Sequence, residues 1–436
     1  MKFTLKHFVA NVLPYGIIFI AIFSILPYPS DKFSVLDSIN ITAVWWTILV
    51  SFFILFFLST KYFLDAKDKK NLLVLKVYLI WIIICIFRGL FVAEIYWDWK
   101  ALVNNSMGLL LPVVVYSATN RTIVQSTLAN YIKYGLPLCL ILLIFIRTDA
   151  YGFFLMPISF LLLFLPALSN KQRLLLFVFT AIVFGADFGA RSNIIKFGFP
   201  LFVLIIYYLR EKISIKTLNN LRIVMIIAPF ILLTLGVTDV FNVFKISEYI
   251  GEIKAKGLDD FGDRNTIDVT ADTRTFLYVE VIESAIENDY WIFGRTPARG
   301  NDSSSFGPIY YELTGRDERW ENEIGVANVF TWTGIIGVIL YLFIFYRASY
   351  LAVNHSENIY SKMLGMFVAF RWIYSWVEDY NIVSLNYFML CVMIGLCFSS
   401  SFRSMTDNEV TIWVRGVFDN RYLNYDKYRK EEDDEK

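Results

Sequence analysis

Histidine is nearly absent from this chain, with two in 436 residues, His7 and His355. Charge is scarce as well, at 18% of residues, where soluble domains carry about 25%. With so little charge the chain is not a secreted enzyme, a disordered scaffold or a nucleic-acid binder. Cysteine is limited to Cys85, Cys139, Cys391 and Cys397, all within apolar runs, where they read as small buried hydrophobes. No small-residue cleavage site follows the first apolar run, which therefore reads as a retained helix and not a removed signal peptide. There is no Walker loop, no dinucleotide fingerprint, no metal-ligand spacing, no internal repeat and no low-complexity segment. No metal and no cofactor are expected.

What the chain has in excess is hydrophobicity, at 57% of residues. A transmembrane helix needs roughly 20 mostly apolar residues, so twelve would occupy about 240, close to that fraction. Apolar runs fall at 9–26, 41–60, 72–92, 102–118, 134–147, 152–168, 174–189, 194–209, 223–240, 326–345, 363–378 and 382–398. The expected fold class is all-α: a polytopic membrane helix bundle of about 12 transmembrane helices. Tryptophans and tyrosines near the run ends, such as Trp45, Trp97, Trp99, Tyr374 and Trp376, suit the aromatic belts of a bilayer.

Lysine and arginine orient the bundle. With the N-terminus inside, the short inner segments hold sixteen, whereas the short outer loops hold Lys32, Lys100 and Arg147, with Arg191 at a turn between two runs. Both termini are thus expected in the cytoplasm. The net charge of +1 averages this basic inside with one large outer segment, 241–325, that carries nine Lys/Arg against seventeen Asp/Glu. The expected organisation is a bundle of about nine spans (1–240), a large partly helical outer loop (241–325), three further spans (326–398) and a polar cytoplasmic tail (399–436). The tail ends in the mixed-charge run KYRKEEDDEK, read as solvated.

Within the loop, ADTRTFLYVEVIESAIEND reads as a helix capped by Asp272, with Phe276, Val279, Ile282 and Ile286 at helical spacing. After it, Gly294, Pro297, Gly300, Gly307 and Pro308 argue against regular structure. Charges at the lip of a membrane are the functional pointers. Arg191 sits in GADFGARSN, either paired with Asp187 or free to hook an anion. Arg274 falls in the expected first helical turn, where a guanidinium joined to helix N–H groups can hold phosphate. Arg295 and Arg299, four apart in GRTPARGND, can converge on one polyanion. Glu321, Asn322 and Glu323 stand before GVANVFTWTGIIG, where partial desolvation would raise a carboxylate toward useful base strength. Glu378, Asp379, Arg88 and Glu94 read as mainly structural, and Lys76, Lys196 and Arg371 as snorkelling or paired.

The GARSN turn, a large late outer loop, a helix opening with DTR, the FGR…RGNDS loop, and N-E-I-G…TGIIG entering a span form an ordered set. In that order it resembles the Wzy-type O-antigen polymerases, within the wider O-antigen ligase and polymerase superfamily. The resemblance implies a bacterial inner-membrane glycosyltransferase. It would join undecaprenyl-diphosphate-linked oligosaccharide repeat units at the periplasmic face, using the outer loop. By that match Arg191 and Arg274 hold the diphosphate, and Arg295, Arg299, Asn301, Asp302 and Asn322 are candidates to bind diphosphate or glycan. Ligase relatives carry a histidine eleven residues before the G-[IL]-[IL]-G pair; here that position is Glu323, which becomes the candidate base. Because His7 and His355 are both expected inside, the departure argues against a ligase that moves polymer onto lipid A core or protein. A non-enzymatic lipid-linked oligosaccharide flippase or transporter is the further alternative. Implied partners are the lipid-linked glycan, membrane lipid and a chain-length regulator protein.

Overall fold

A computed structural model describes residues 5–28, 40–187, 190–258, 264–268, 270–378 and 381–422. Lys32, Asp379 and the KYRKEEDDEK terminus, weighed above, lie outside the described residues, as do Gly189 in the GADFGARSN turn and the turn-rich stretch with Asp259, Asp260 and Gly262. The protein is mostly helical, with two small two-stranded antiparallel pairs. Among the described residues, six helices are long and apolar enough to cross a membrane. They are α1 (Leu5–Ile25), α2 (Thr42–Phe63), α3 (Leu73–Val92), α4 (Tyr96–Ala118), α10 (Ile215–Val237) and α13 (Gly325–Asn354). Between α4 and α10 come α5 (Arg121–Asn130), α6 (Leu136–Leu142), α7 (Met156–Leu162), α8 (Asn170–Ala186) and α9 (Arg191–Tyr208). The remaining principal helices are α11 (Thr275–Glu287), α12 (Gly307–Thr314), α14 (Ile359–Tyr374), α15 (Leu385–Phe398) and α16 (Asp407–Arg415).

The outside of the bundle is itself apolar. On α3, Ile80, Ile83, Ile84, Phe87 and Phe91 form an exposed stripe at helical spacing, while Leu75, Tyr78, Leu79, Ile82 and Cys85 face inward. A water-facing helix would carry polar residues on that outer stripe; an apolar one calls for an apolar surrounding. The six apolar helices and this exterior suggest a membrane-embedded protein. At the centre, α13 packs most extensively on α14, and also on α3, α15 and α10. All fourteen residues of α15 are buried, so the run at 382–398 is sheathed by protein. Pro112 tightens one turn within α4 without ending the span, and the π-helical turn Tyr131–Gly135 leads into the run at 134–147, whose helix α6 ends at Leu142.

Two features differ from the sequence expectation. The tail, expected to be polar, begins with a docked element: α16 packs on the bundle, with Val410, Trp413 and Val414 buried at three- and four-residue spacing. Trp413 meets Phe164 and Phe402, and its carbonyl accepts from Gln125 Nε2 at 2.6 Å. Gly307 and Pro308 also open a helix, α12, because proline at the first turn gives up only an N–H that has no helical partner.

The segment 241–325, the large loop, holds strands β1 (Lys254–Leu258) and β2 (Arg264–Asp268), paired antiparallel, and β3 (Asn301–Asp302) and β4 (Glu318–Arg319), likewise paired. It is locked to the bundle through a break in α13. Gly334 there has φ 67° and ψ −172°, which interrupts the helix. The freed groups pair with the segment that follows α11. Arg295 N donates to Thr331 O at 2.7 Å, Thr296 N to Trp332 O at 3.2 Å, and Ile335 N to Trp291 O at 2.9 Å. Trp81 Nε1 donates to Thr333 O at 3.0 Å. From the other side, Arg88 donates to the carbonyls of Phe293 and Gly294 at 2.7 and 3.1 Å. A Cβ on Gly334 would collide with the Ile292 carbonyl, and one on Gly294 (φ +73°) with the Thr333 backbone. Both glycines are therefore required by conformation and by close approach.

Gly334→Ala is expected to destabilise the protein by about 2 kcal/mol or more, from strained φ plus a backbone clash. Gly198→Ala, whose Cβ meets nothing within 4 Å, should be neutral or slightly stabilising. Thermal unfolding in detergent compares the two.

Candidate functional site

One end of the bundle gathers the ends of many segments, and between them lies a cavity of about 420 Å³. Tyr28 reaches it from beyond α1, Asp149 from before α7, Arg191 from the start of α9, Arg274 from the loop, and Tyr374 and Glu378 from the end of α14. Residues 83 positions apart, Arg191 and Arg274, thus share one opening.

Arg274 owes its place to two anchors. Asp272 Oδ1 accepts from the backbone N–H of Arg274 and of Thr275, both at 3.0 Å, and α11 starts at Thr275, two residues later than a cap at Asp272 implies. Arg274 is consequently the residue just before the helix, not within its first turn. Its Nε donates to Val377 O at 3.2 Å. Val377 belongs to a four-residue stretch whose carbonyls are all used. Ser375 O and Glu378 O receive Val326 N and Gly325 N, each at 3.0 Å, and Trp376 O receives the Tyr278 hydroxyl at 2.5 Å. The end of α14, the start of α13 and the start of α11 are thereby tied into one junction. A cation here also meets the negative end of the α14 dipole.

Arg274 Nη1 pairs with Glu323 Oε2 at 2.5 Å. The other Glu323 oxygen faces Arg319 Nη2 at 3.6 Å. Arg319 lies over the Phe306 ring, 4.5 Å from its centroid, and its Nη1 is buried without a hydrogen-bond partner. Its Nε holds the Glu321 carbonyl at 3.1 Å. The Glu321 carboxyl itself is pushed up to about 7 by desolvation, which the Arg319 charge only partly offsets. Tyr28 feels the same acids: its hydroxyl is raised by burial first, then by Asp149, Glu321, Glu378 and Glu323.

A second pair stands at the cavity. Lys196, 1% exposed, reaches Glu378 Oε1 at 2.9 Å, and the Tyr374 hydroxyl donates to Oε2 at 2.8 Å. The ammonium sits 4.9 Å from the Phe153 ring centroid and 5.6 Å from that of Tyr374. From the sequence, Lys196 reads as snorkelling or paired and Glu378 as mainly structural; the structure pairs the two. A lysine inside an apolar run was the available signal, because burying it demands a carboxylate partner.

The other candidate residues form a different cluster within the loop. Arg295 pairs with Asp302 at 2.7 Å and Glu318 at 3.4 Å, and Arg299 grips Glu318 with two nitrogens. The two arginines do converge on one anion, but that anion is the buried Glu318 carboxylate. Asp302 also accepts from Asn288 at 2.7 Å and Ser284 at 3.2 Å. Asn322 Nδ2 donates to Asn301 Oδ1 at 2.8 Å. The Asn322 backbone exchanges hydrogen bonds with the Asn328 side chain at 2.6 and 2.8 Å. These residues hold the loop in shape at the mouth of α13, and none of the five lines the cavity. Glu94 and Asp98 fasten the same loop by pairing with Arg316 at 2.7 and 3.1 Å.

Because the folded protein holds the Glu321 proton more tightly than the unfolded chain, its contribution to stability is present below about 4.5 and lost as pH rises through about 7. Glu321→Gln should therefore flatten the fall in unfolding temperature between pH 5 and pH 8. An identical fall in both proteins would refute the assignment.

No protein-family model, no curated protein and no solved structure matches this chain.

Proposed function

We propose that the protein is an inner-membrane polysaccharide polymerase that joins undecaprenyl-diphosphate-linked repeat units at the periplasmic face. In this reading the bundle carries about twelve spans, 241–325 is the periplasmic loop and both termini are cytoplasmic. The observation that carries it is the shared cavity of Arg191 and Arg274, two cations from distant segments at one end of an apolar bundle. An apolar groove of about 290 Å³ adjoins it, between α10, α11 and the end of α14, with Val243, Phe244 and Val377 common to both. A charged cavity opening beside an apolar groove suits a lipid with an anionic head.

The chemistry asks little beyond charge placement. The acceptor hydroxyl oxygen attacks the anomeric carbon of the donor sugar, the bond from that carbon to the diphosphate oxygen breaks, and the diphosphate leaves with the electron pair. Guanidiniums at Arg191 and Arg274 stabilise the departing charge, more strongly in a site screened from water than in bulk. As the diphosphate draws Arg274 to itself, Glu323, which stands behind Arg274 and does not itself line the cavity, loses that partner, keeps Arg319 at 3.6 Å from its other oxygen, and takes the acceptor's proton. Arg295, Arg299, Asn301, Asp302 and Asn322 serve by keeping the loop over the mouth, and a chain-length regulator would meet the periplasmic side.

Arg191→Ala and Arg274→Ala should each lower polymerisation by roughly 10²-fold, the usual effect of losing one placed transition-state donor. The assay supplies purified protein with lipid-linked repeat units and no core acceptor, and reads the ladder of chain lengths. Near-normal ladders from both variants would sink the assignment, and a product formed only on added lipid A core would point to a ligase.

A further inference from the structure

A diphosphate explains two arginines in the cavity but not the three carboxylates that line it with them, Asp149, Asp187 and Glu378, of which Glu378 is the one braced by a buried lysine. Glu378 is held through both its backbone and its side chain. Its backbone N–H donates to Tyr374 O at 2.9 Å and its carbonyl accepts from Gly325 N at 3.0 Å. Among the described residues, each carboxylate oxygen has one hydrogen-bond partner, Lys196 Nζ at 2.9 Å and the Tyr374 hydroxyl at 2.8 Å. A carboxylate offers about four lone-pair sites, so half of its accepting capacity is uncommitted. Lys196, at 1% exposed, neutralises the charge from behind and supports its orientation. Aromatic rings stand alongside: Tyr28 and Phe153, 5.2 Å apart between centroids, line the cavity with Tyr374.

An immobilised carboxylate among ring faces matches neither an anion nor a hydrocarbon. It matches a neutral molecule with donor hydroxyls on its edge and C–H groups on its faces. We propose that this corner of the cavity is a sugar subsite, in which Glu378 accepts hydrogen bonds from the hydroxyls of an uncharged pyranose. Tyr374 and Lys196 are its positioning residues. The proposal rests on the reading of the cavity as a glycosyl-transfer site and names where one sugar is held. Arg191 and Arg274 would then take the phosphates, and Glu378 would orient a sugar next to them.

Two probes separate the parts. Methyl glycosides of glucose, galactose, mannose and N-acetylglucosamine are tested by saturation-transfer NMR on the full chain in nanodiscs, and undecaprenyl diphosphate by equilibrium binding. At least one glycoside is expected to bind the wild-type protein, with affinity about tenfold lower in Glu378→Gln, the loss expected for a charged hydrogen bond. Undecaprenyl diphosphate should bind that variant normally. Tyr374→Phe, which keeps the Glu378 charge and the ring, should lose about fivefold and serves if Glu378→Gln does not fold. Arg274→Ala should show the opposite pattern, binding sugar but not undecaprenyl diphosphate. An unchanged sugar signal in both cavity variants, or none from the wild-type protein, overturns the subsite and leaves the Lys196–Glu378 pair a brace between α9 and α14. Failure of the wild-type protein to bind undecaprenyl diphosphate instead overturns the reading of the arginines.

Discussion

The break in α13 at Gly334 is the constraint on which the loop-bearing end of the molecule depends. A helix interrupted deep in an apolar bundle leaves backbone groups without partners, and in such surroundings each is costly. Here they are satisfied by the chain from Trp291 to Thr296, which enters the gap and completes the hydrogen bonding. Two residues make the entry possible, Gly294 and Gly334, each at positive φ and each in backbone contact with the other's segment. The result is a loop whose position is set by backbone pairing and not by side-chain adhesion alone. Arg88, Asn105 and Arg316 add further ties, all to carbonyls or carboxylates on the opposing segment. Because the loop is seated this way, the start of α11 is carried to the end of α14, and Arg274 arrives beside Glu323 and Glu378.

Electrostatics then divides the charged residues into two populations. Arg295 and Arg299 meet the acidic loop's own carboxylates and hold it together, since a buried Glu318 needs compensating charge. Arg191, Arg274 and the Lys196–Glu378 pair are gathered instead where six chain segments end. Charges at such a junction sit between protein and an open cavity, so they are partly desolvated without being sealed. Glu321 illustrates the effect, with its carboxyl raised to about 7 by the surrounding protein mass. Neighbouring Glu323, only two residues on, is instead engaged by two guanidiniums. Two acids in one short stretch thereby acquire different chemistry.

Much of this was legible in the residues. The apolar runs, the late polar loop and the helix after Asp272 follow from periodicity and composition, which act locally. Arg191 and Arg274 stand out because a charge at a membrane lip is conspicuous in a chain that carries so few. The docking of α16 was less visible: its apolar face is only Val410, Trp413 and Val414, short enough to be lost in a polar tail. Lys196 was noticed, but its partner lies 182 positions away and no local pattern could name it.

The sequence alone determined that this is a helical, apolar chain with one sizeable polar loop, because hydrophobic periodicity is a property of neighbours along the chain. Only the tertiary structure decided which of the scarce charges keep company. It joined Arg299 to Glu318, Arg274 to Glu323 and Lys196 to Glu378, and it brought Arg191 and Arg274 to one cavity. The physical reason is that an ion pair is chosen by distance through space, and in this fold those distances are set by the packing of α9 on α14 and by a glycine break in α13, which the backbone of a remote loop fills.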